Sequence, residues 1–167
     1  MTPQIVADEL WIEISIAAQQ LRLRRGDACL MTAAVSTATN GAGELRGSEC
    51  TPRGWHQVRA KIGGGCAENT VFRGRRPTGE IYSAQLDRDQ PGRDWVLSRI
   101  LWLSGLEPGK NRLGEVDTMR RYIYLHGTPD NIPLGQPGSH GCVRMRNCDI
   151  MRLFDLVPVT TKVLIQE

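Results

Sequence analysis

The chain has 167 residues, enough for one domain with a sizeable buried core. Hydrophobic residues make up 40% and charged residues 23%, with 18 glycines and 9 prolines, a turn-rich globular composition rather than a fibrous or disordered one. The formal charge of +3 is mild and its arginines are scattered in short clusters, which argues against a nucleic-acid footprint.

No apolar run is long enough for a membrane span, and the start lacks the basic and apolar regions of a secretory leader. Five cysteines with no CxxC pair suggest neither a disulfide framework nor a zinc site. The expected address is therefore the cytoplasm, or the periplasm if an export signal precedes this sequence. No metal or other cofactor is expected, and the oligomeric state is not legible.

Leu10, Ile12, Ile14 and Ile16 alternate with the period of a half-buried strand. Gln20 to Arg24 reads as a second strand, Arg25-Gly-Asp as a turn and Cys29 to Val35 as the returning arm. The stretch from Ser36 to Gly54 is a loop, and Trp55 to Ile62 alternates again until Gly63-Gly-Gly65 breaks it. Turns are expected at Arg76-Pro-Thr-Gly79 and Gln90-Pro-Gly-Arg93, followed by a buried strand over Trp95 to Leu103. Glu107 to Thr118 is a long connection, either a lid over a cleft or a plain surface loop. Arg121 to Leu125 reads as a short strand delivering His126 at its end. Only Asn147 to Leu156 has helical spacing, with Pro158 beyond it and a last strand over Lys162 to Ile165. Many short strands against one helix predict a mainly β sandwich or barrel in one domain, residues 1–167.

The chemistry concentrates in Ser139-His-Gly-Cys142-Val-Arg144-Met, with His126-Gly127-Thr128 beginning thirteen positions before Ser139. A cysteine attacks as thiolate and needs a base beside it, so Cys142 is the candidate nucleophile and His126 its base. A backbone carbonyl, Asp130 or Asp149 would orient the His126 ring. Gly141 permits a sharp turn that aims the Gly141 and Cys142 N–H groups at an oxyanion. Arg144 suits a substrate carboxylate. Cys29, Cys50, Cys66 and Cys148 read as small buried hydrophobes, the tryptophans as core, and His56 with Cys50 and Cys66 as at most a weak metal site.

These residues resemble a family. His126-Gly-Thr, a loop ending Leu134-Gly-Gln-Pro-Gly, Ser139-His-Gly-Cys142-Val-Arg144-Met, Asn147 with Asp149, and Leu156-Val-Pro-Val are similar to the L,D-transpeptidase catalytic domain (YkuD-type). Upstream, Gln20-Leu-Arg-Leu, Val35-Ser-Thr and Thr51-Pro-Arg-Gly54 fit it more loosely, so the resemblance spans about residues 10 to 167. Ala38 and Thr39 stand where many members have Gly and Lys, and Arg53 fills a variable slot.

The resemblance implies a cysteine acyl-transfer enzyme acting on peptidoglycan stem tetrapeptides or muropeptides. Cys142 would cleave the L,D bond before the terminal D-Ala through a thioester, with His126 as general base and acid and Gly141 in the oxyanion turn. Gly127, Ser139, His140 and Arg144 would line the substrate side, with Ser139 also shaping the turn. Hydrolysis, an L,D-carboxypeptidase reaction in muropeptide recycling, is the expected outcome; the alternatives are an L,D-transpeptidase forming 3→3 cross-links and a non-catalytic muropeptide binder.

Overall fold

The structure is a computed structural model that describes residues 2–167. Ten strands form one sheet. They are β1 (Leu10–Ser15), β2 (Gln20–Arg25), β3 (Ala28–Ser36), β4 (Gly54–Ile62), β5 (Thr70–Arg73), β6 (Arg76–Ile81), β7 (Val96–Gly105), β8 (Tyr124–Gly127), β9 (Val143–Met145) and β10 (Lys162–Gln166). Helices α1 (Ala84–Asp89) and α2 (Asn147–Leu156) complete the fold with a short 3-10 turn at Gly114–Val116.

Eight strands run in the order β4, β10, β1, β2, β3, β9, β8, β7, and a β4–β7 pairing closes the ring. The barrel reading therefore holds over the sandwich, and closure leaves no unpaired edge among those eight. The hairpin β5–β6 is appended through β5 to β7. Period-two alternation explains the closure: Ile12 and Ile14, Leu21 and Leu23, Met31, Ala33 and Val35, Leu101 and Leu103, and Val163 and Ile165 all enter one buried cluster. Helix α2 adds Ile150, Leu153 and Phe154 to the same cluster, the helical spacing read from the sequence.

Several local readings are corrected. Arg76-Pro-Thr-Gly79 is not a turn but lies in β6; the turn is the left-handed pair Gly74 and Arg75 before it. Helix α1 has no sequence signal of apolar periodicity because none of its residues is buried; Ser83 Oγ caps it by accepting from Leu86 N–H. Strand β8 begins at Tyr124 rather than Arg121, because Tyr122 is left-handed (φ 56°) and its N–H bonds back to Met119. Strands β5 and β9, of four and three residues, are too short to show a period. Cys29 and Cys148 are exposed and Cys50 and Cys66 half-buried, so none of the four is the buried hydrophobe expected.

The connection from Glu107 to Thr118 is latched down. Asn111, fully buried, donates from Nδ2 to the carbonyls of Arg53 and Trp55, and Glu107 Oε2 accepts from Trp55 N–H at 2.6 Å. His56 completes the latch: its ring nitrogens meet Gly54 O at 2.9 Å and Thr118 Oγ1 at 3.0 Å, so both are occupied in structural contacts.

Candidate active site

Strands β8 and β9 lie parallel, with Leu125 beside Val143 and His126 beside Arg144. Leu125 and Val143 point into the barrel and are fully buried. Alternation then places Tyr124, His126, Cys142 and Arg144 together on the opposite face. Thus two short strands bring together residues separated by the whole glycine- and proline-rich loop between them.

A bulge in β7 and the start of α2 hold this strand pair. Ser98, left-handed at φ 69°, donates from Oγ to Asn147 Oδ1 at 2.7 Å, and Asn147 Nδ2 donates to Thr128 O at 3.0 Å. Gly127 is buried beneath this clamp, where a Cβ would run into Asn147 Oδ1 and Leu97 O. It is a packing position, not the substrate contact expected from the sequence.

His126 is buried, and its Nδ1 lies 2.7 Å from Gly127 O. The backbone carbonyl thus takes the orienting role for which Asp130 and Asp149 were the side-chain candidates. An Nδ1–H donated to that carbonyl leaves Nε2 as the basic nitrogen. Burial pushes the imidazole below its ordinary value, partly offset by the Gly127 carbonyl.

Cys142 is half-buried, packed against Phe72, Ile100 and Tyr124. Its Sγ donates to Tyr122 O and accepts from Tyr124 N–H, both at 3.3 Å. Burial pushes the thiol up to about 12, against the opposing pull of Tyr124 N–H, Arg144 and Arg121, while Asp94 adds to the rise. Burial thus favours the uncharged form of each group, and among the described residues no hydrogen bond joins Sγ to His126.

The turn before Cys142 is built on two hydroxyls. Ser139, 2% exposed, accepts from Gly141 N–H at 3.2 Å and donates to Cys142 O at 2.5 Å. Ser139 thus shapes the turn as expected but is buried rather than on the substrate side, and the Gly141 N–H, expected at an oxyanion, is bonded inside the turn. Thr51 Oγ1, from the Thr51-Pro-Arg-Gly54 turn, donates to Gly141 O at 2.9 Å and accepts from Ala38 N–H at 3.0 Å. Gly141 needs its freedom: its φ is +136°, and a Cβ would approach Ile123 Cδ1 and Cys50 O.

His140 is exposed and stands between two cavities. One is lined by Asp94, Trp95, Thr128, Pro129, Ile132 and Arg144 among others. The second is lined by Arg46, Glu49, Arg120, Arg121, Tyr122 and Ile123 among others. Arg144 does not reach out for a ligand: Nη1 donates to Gly138 O and Nη2 to Asp94 Oδ1, both at 2.9 Å. Sequence reasoning missed Asp94, which carries no motif, and Arg121, which donates to the carbonyls of Gly43, Glu44 and Cys50 behind the turn. No residue of Glu107 to Thr118 lines either cavity, which favours the surface connection over the lid.

Comparison with known proteins agrees with this fold. The family model described as the L,D-transpeptidase catalytic domain (YkuD) matches residues 9–165. The chain belongs to that family. Among curated relatives of this L,D-transpeptidase domain, YkuD of Bacillus subtilis (strain 168) is 32% identical over 89 residues, 53% of this chain and 44% of that protein. YbiS of Escherichia coli (strain K12) is 54% identical over 43 residues, 26% of this chain and 14% of that protein. The chain therefore spans less than half of either relative. An L,D-transpeptidase from Mycobacterium smegmatis shares the fold at TM-score 0.61 and 16% identity, covering 95% of this chain and 59% of that one. The L,D-transpeptidase LdtMt1, solved in complex with imipenem, matches at TM-score 0.57 and 20% identity, covering 95% of this chain and 59% of that one.

Proposed function

We propose that this L,D-transpeptidase-family domain is a cysteine acyl-transfer enzyme that opens the L,D bond before the terminal D-Ala of peptidoglycan stem tetrapeptides. The observation that carries the reading is the shared face of His126 and Cys142, with the His126 tautomer set by Gly127 O. The unprotonated His126 Nε2 is the form that can accept the thiol proton; burial disfavours both resulting charges, so the transfer accompanies attack on the substrate carbonyl.

In the first step Sγ leaves Tyr122 O, gives its proton to His126 Nε2 and bonds to the carbonyl carbon of the third stem residue. The Cys142 N–H, at the end of the turn held by Ser139 and Thr51, faces the developing oxyanion. The C–N bond then breaks, His126 returns the proton to the departing D-Ala amine, and a thioester remains. Water, deprotonated by His126, releases a tripeptide and restores the thiol. Hydrolysis is the proposed main outcome because the cleft is wet: the side chains of His140 and Asp94 are 66% and 51% exposed. The cavity beside Asp94 favours a second reading, in which a stem amine occupies it and forms a 3→3 cross-link.

Incubation with a disaccharide tetrapeptide, read by mass, tests the proposal. Loss of one alanine means hydrolysis, dimers mean transpeptidation, and an unchanged substrate overturns both in favour of a non-catalytic binder. Cys142→Ala must abolish either product. The imipenem complex of LdtMt1 supports a further expectation, covalent carbapenem acylation of Cys142. We propose the cytoplasm as the working compartment, because five free thiols suit a reducing environment; cell fractionation tests it.

A further inference from the structure

The Gly127 carbonyl orients His126 from the main chain, so the position of one peptide group decides which imidazole nitrogen carries the proton. That peptide group is pinned on three sides. Thr128 N–H donates to Met145 O at 3.1 Å. Asn147 Oδ1 lies against the α-carbon of Gly127, where a Cβ would run into it, and Asn147 Nδ2 donates to Thr128 O at 3.0 Å.

Asn147 is 2% exposed and its amide is fully engaged. Thr128 O can only accept, which fixes Nδ2 on that side. The second Nδ2 hydrogen goes to Asn69 Oδ1 at 3.1 Å, Oδ1 accepts from Ser98 Oγ at 2.7 Å, and Ser98 Oγ accepts from Asn69 N–H at 2.9 Å. The bonds thus close a ring through β7, α2 and the residue before β5. Closing it strains the backbone: Asn69 (φ 65°) and Ser98 (φ 69°) are both left-handed, Ser98 within the bulge of β7. Strain of this kind gathers at functional sites, where the surroundings over-determine it. Helix α2 has no need of the ring for its own docking, because Ile150, Leu153 and Phe154 already anchor it in the core.

We propose that Asn147 is a positioning residue for the general base: by clamping Gly127 and Thr128 it holds the Gly127 carbonyl against His126 Nδ1, keeps the imidazole proton there and leaves Nε2 free for the Cys142 thiol. The proposal deepens the acyl-transfer reading and rests on it for the use of Nε2, whereas the tautomer is a property of the resting protein. An imidazole released from the carbonyl shifts toward the Nε2–H form, which cannot take a proton from Sγ. The charged groups acting on His126 are Asp94 and Arg144, and neither hydrogen-bonds to the ring around Asn147.

Nitrogen NMR of the imidazoles at mildly alkaline pH tests the proposal in the intact chain, with His126→Gln assigning the signals by difference. His126 should show a protonated Nδ1 and a bare Nε2. Ser98→Ala, which takes away the donor to Asn147 Oδ1, should mix the two tautomers, and Asn147→Ala should move most of the population to Nε2–H. Tetrapeptide turnover by Asn147→Ala should fall about a hundredfold in kcat with KM nearly unchanged. His56→Gln, which disturbs the latch instead, should leave the His126 signals in place. An Nε2–H tautomer in the unmodified protein overturns the proposal, as does a tautomer that neither ring variant changes, or one that changes without loss of kcat. If Asn147→Ala does not fold, the unmodified protein and Ser98→Ala decide. A tautomer that depends on Asn147 in a protein without turnover leaves the positioning role standing and overturns the enzymatic reading.

Discussion

His126 is oriented by its own neighbour: Nδ1 lies 2.7 Å from the Gly127 carbonyl, with no carboxylate in the role. A carbonyl fixes the tautomer without adding a negative charge, so burial dominates and the ring stays neutral at pH 7. Activity should therefore persist below the ordinary histidine range and fall only as His126 protonates at lower pH. The acid limb of kcat/KM for the tetrapeptide measures this, and a limb above pH 6.5 contradicts it. His126→Ala should lower kcat roughly 100- to 10,000-fold.

Ser139 joins Gly141 N–H to Cys142 O through one hydroxyl. Ser139→Ala removes both bonds from a buried turn and should cost about 1–3 kcal/mol of stability. Loss of oxyanion geometry should slow acylation by about tenfold to a hundredfold. Stopped-flow carbapenem acylation reads the rate. An unchanged rate would show that the turn does not set the position of the Cys142 N–H.

Thr51 performs the same service from the other side, with Oγ1 between Gly141 O and Ala38 N–H. Thr51→Val keeps the shape but strands both partners in a fully buried position. Thermal unfolding should show a loss of about 1–3 kcal/mol, whereas Thr51→Ser, which retains the hydroxyl, should recover most of it.

His56 is fully buried and its imidazole is depressed from 6.5 to about 4, first by burial, with Gly54 O opposing. Between those values the unfolded chain binds a proton that the folded one refuses. Stability is therefore complete above about pH 6.5 and declines as pH falls toward 4, by roughly 3 kcal/mol at most. His126 adds in the same direction. Denaturant midpoints at pH 7 and pH 4.5 measure the loss, and His56→Gln should flatten the dependence.

The amino-acid sequence by itself determined a mainly β fold and the α2 helix and marked Cys142 and His126 as the candidate pair, whereas the β4–β7 pairing chose the barrel over the sandwich. Alternation at Ile12 and Ile14 or Leu21 and Leu23 is a local signal, and so is the spacing of Ile150, Leu153 and Phe154. Ser139-His-Gly-Cys142 is legible because nucleophile, enabling glycine and second histidine are contiguous. Only the tertiary structure decided what surrounds Cys142. Ser139 and Gly127 turn out to be scaffold because burial depends on what packs over them, Asn147 and Leu97 in the case of Gly127. Asp94, Arg46 and Arg121 come from three distant segments, and their shared neighbourhood around His140 exists only once the closed sheet has fixed which loops meet there. Charge compensation is likewise a property of space rather than order: Arg144 is spent on Asp94, fifty positions away.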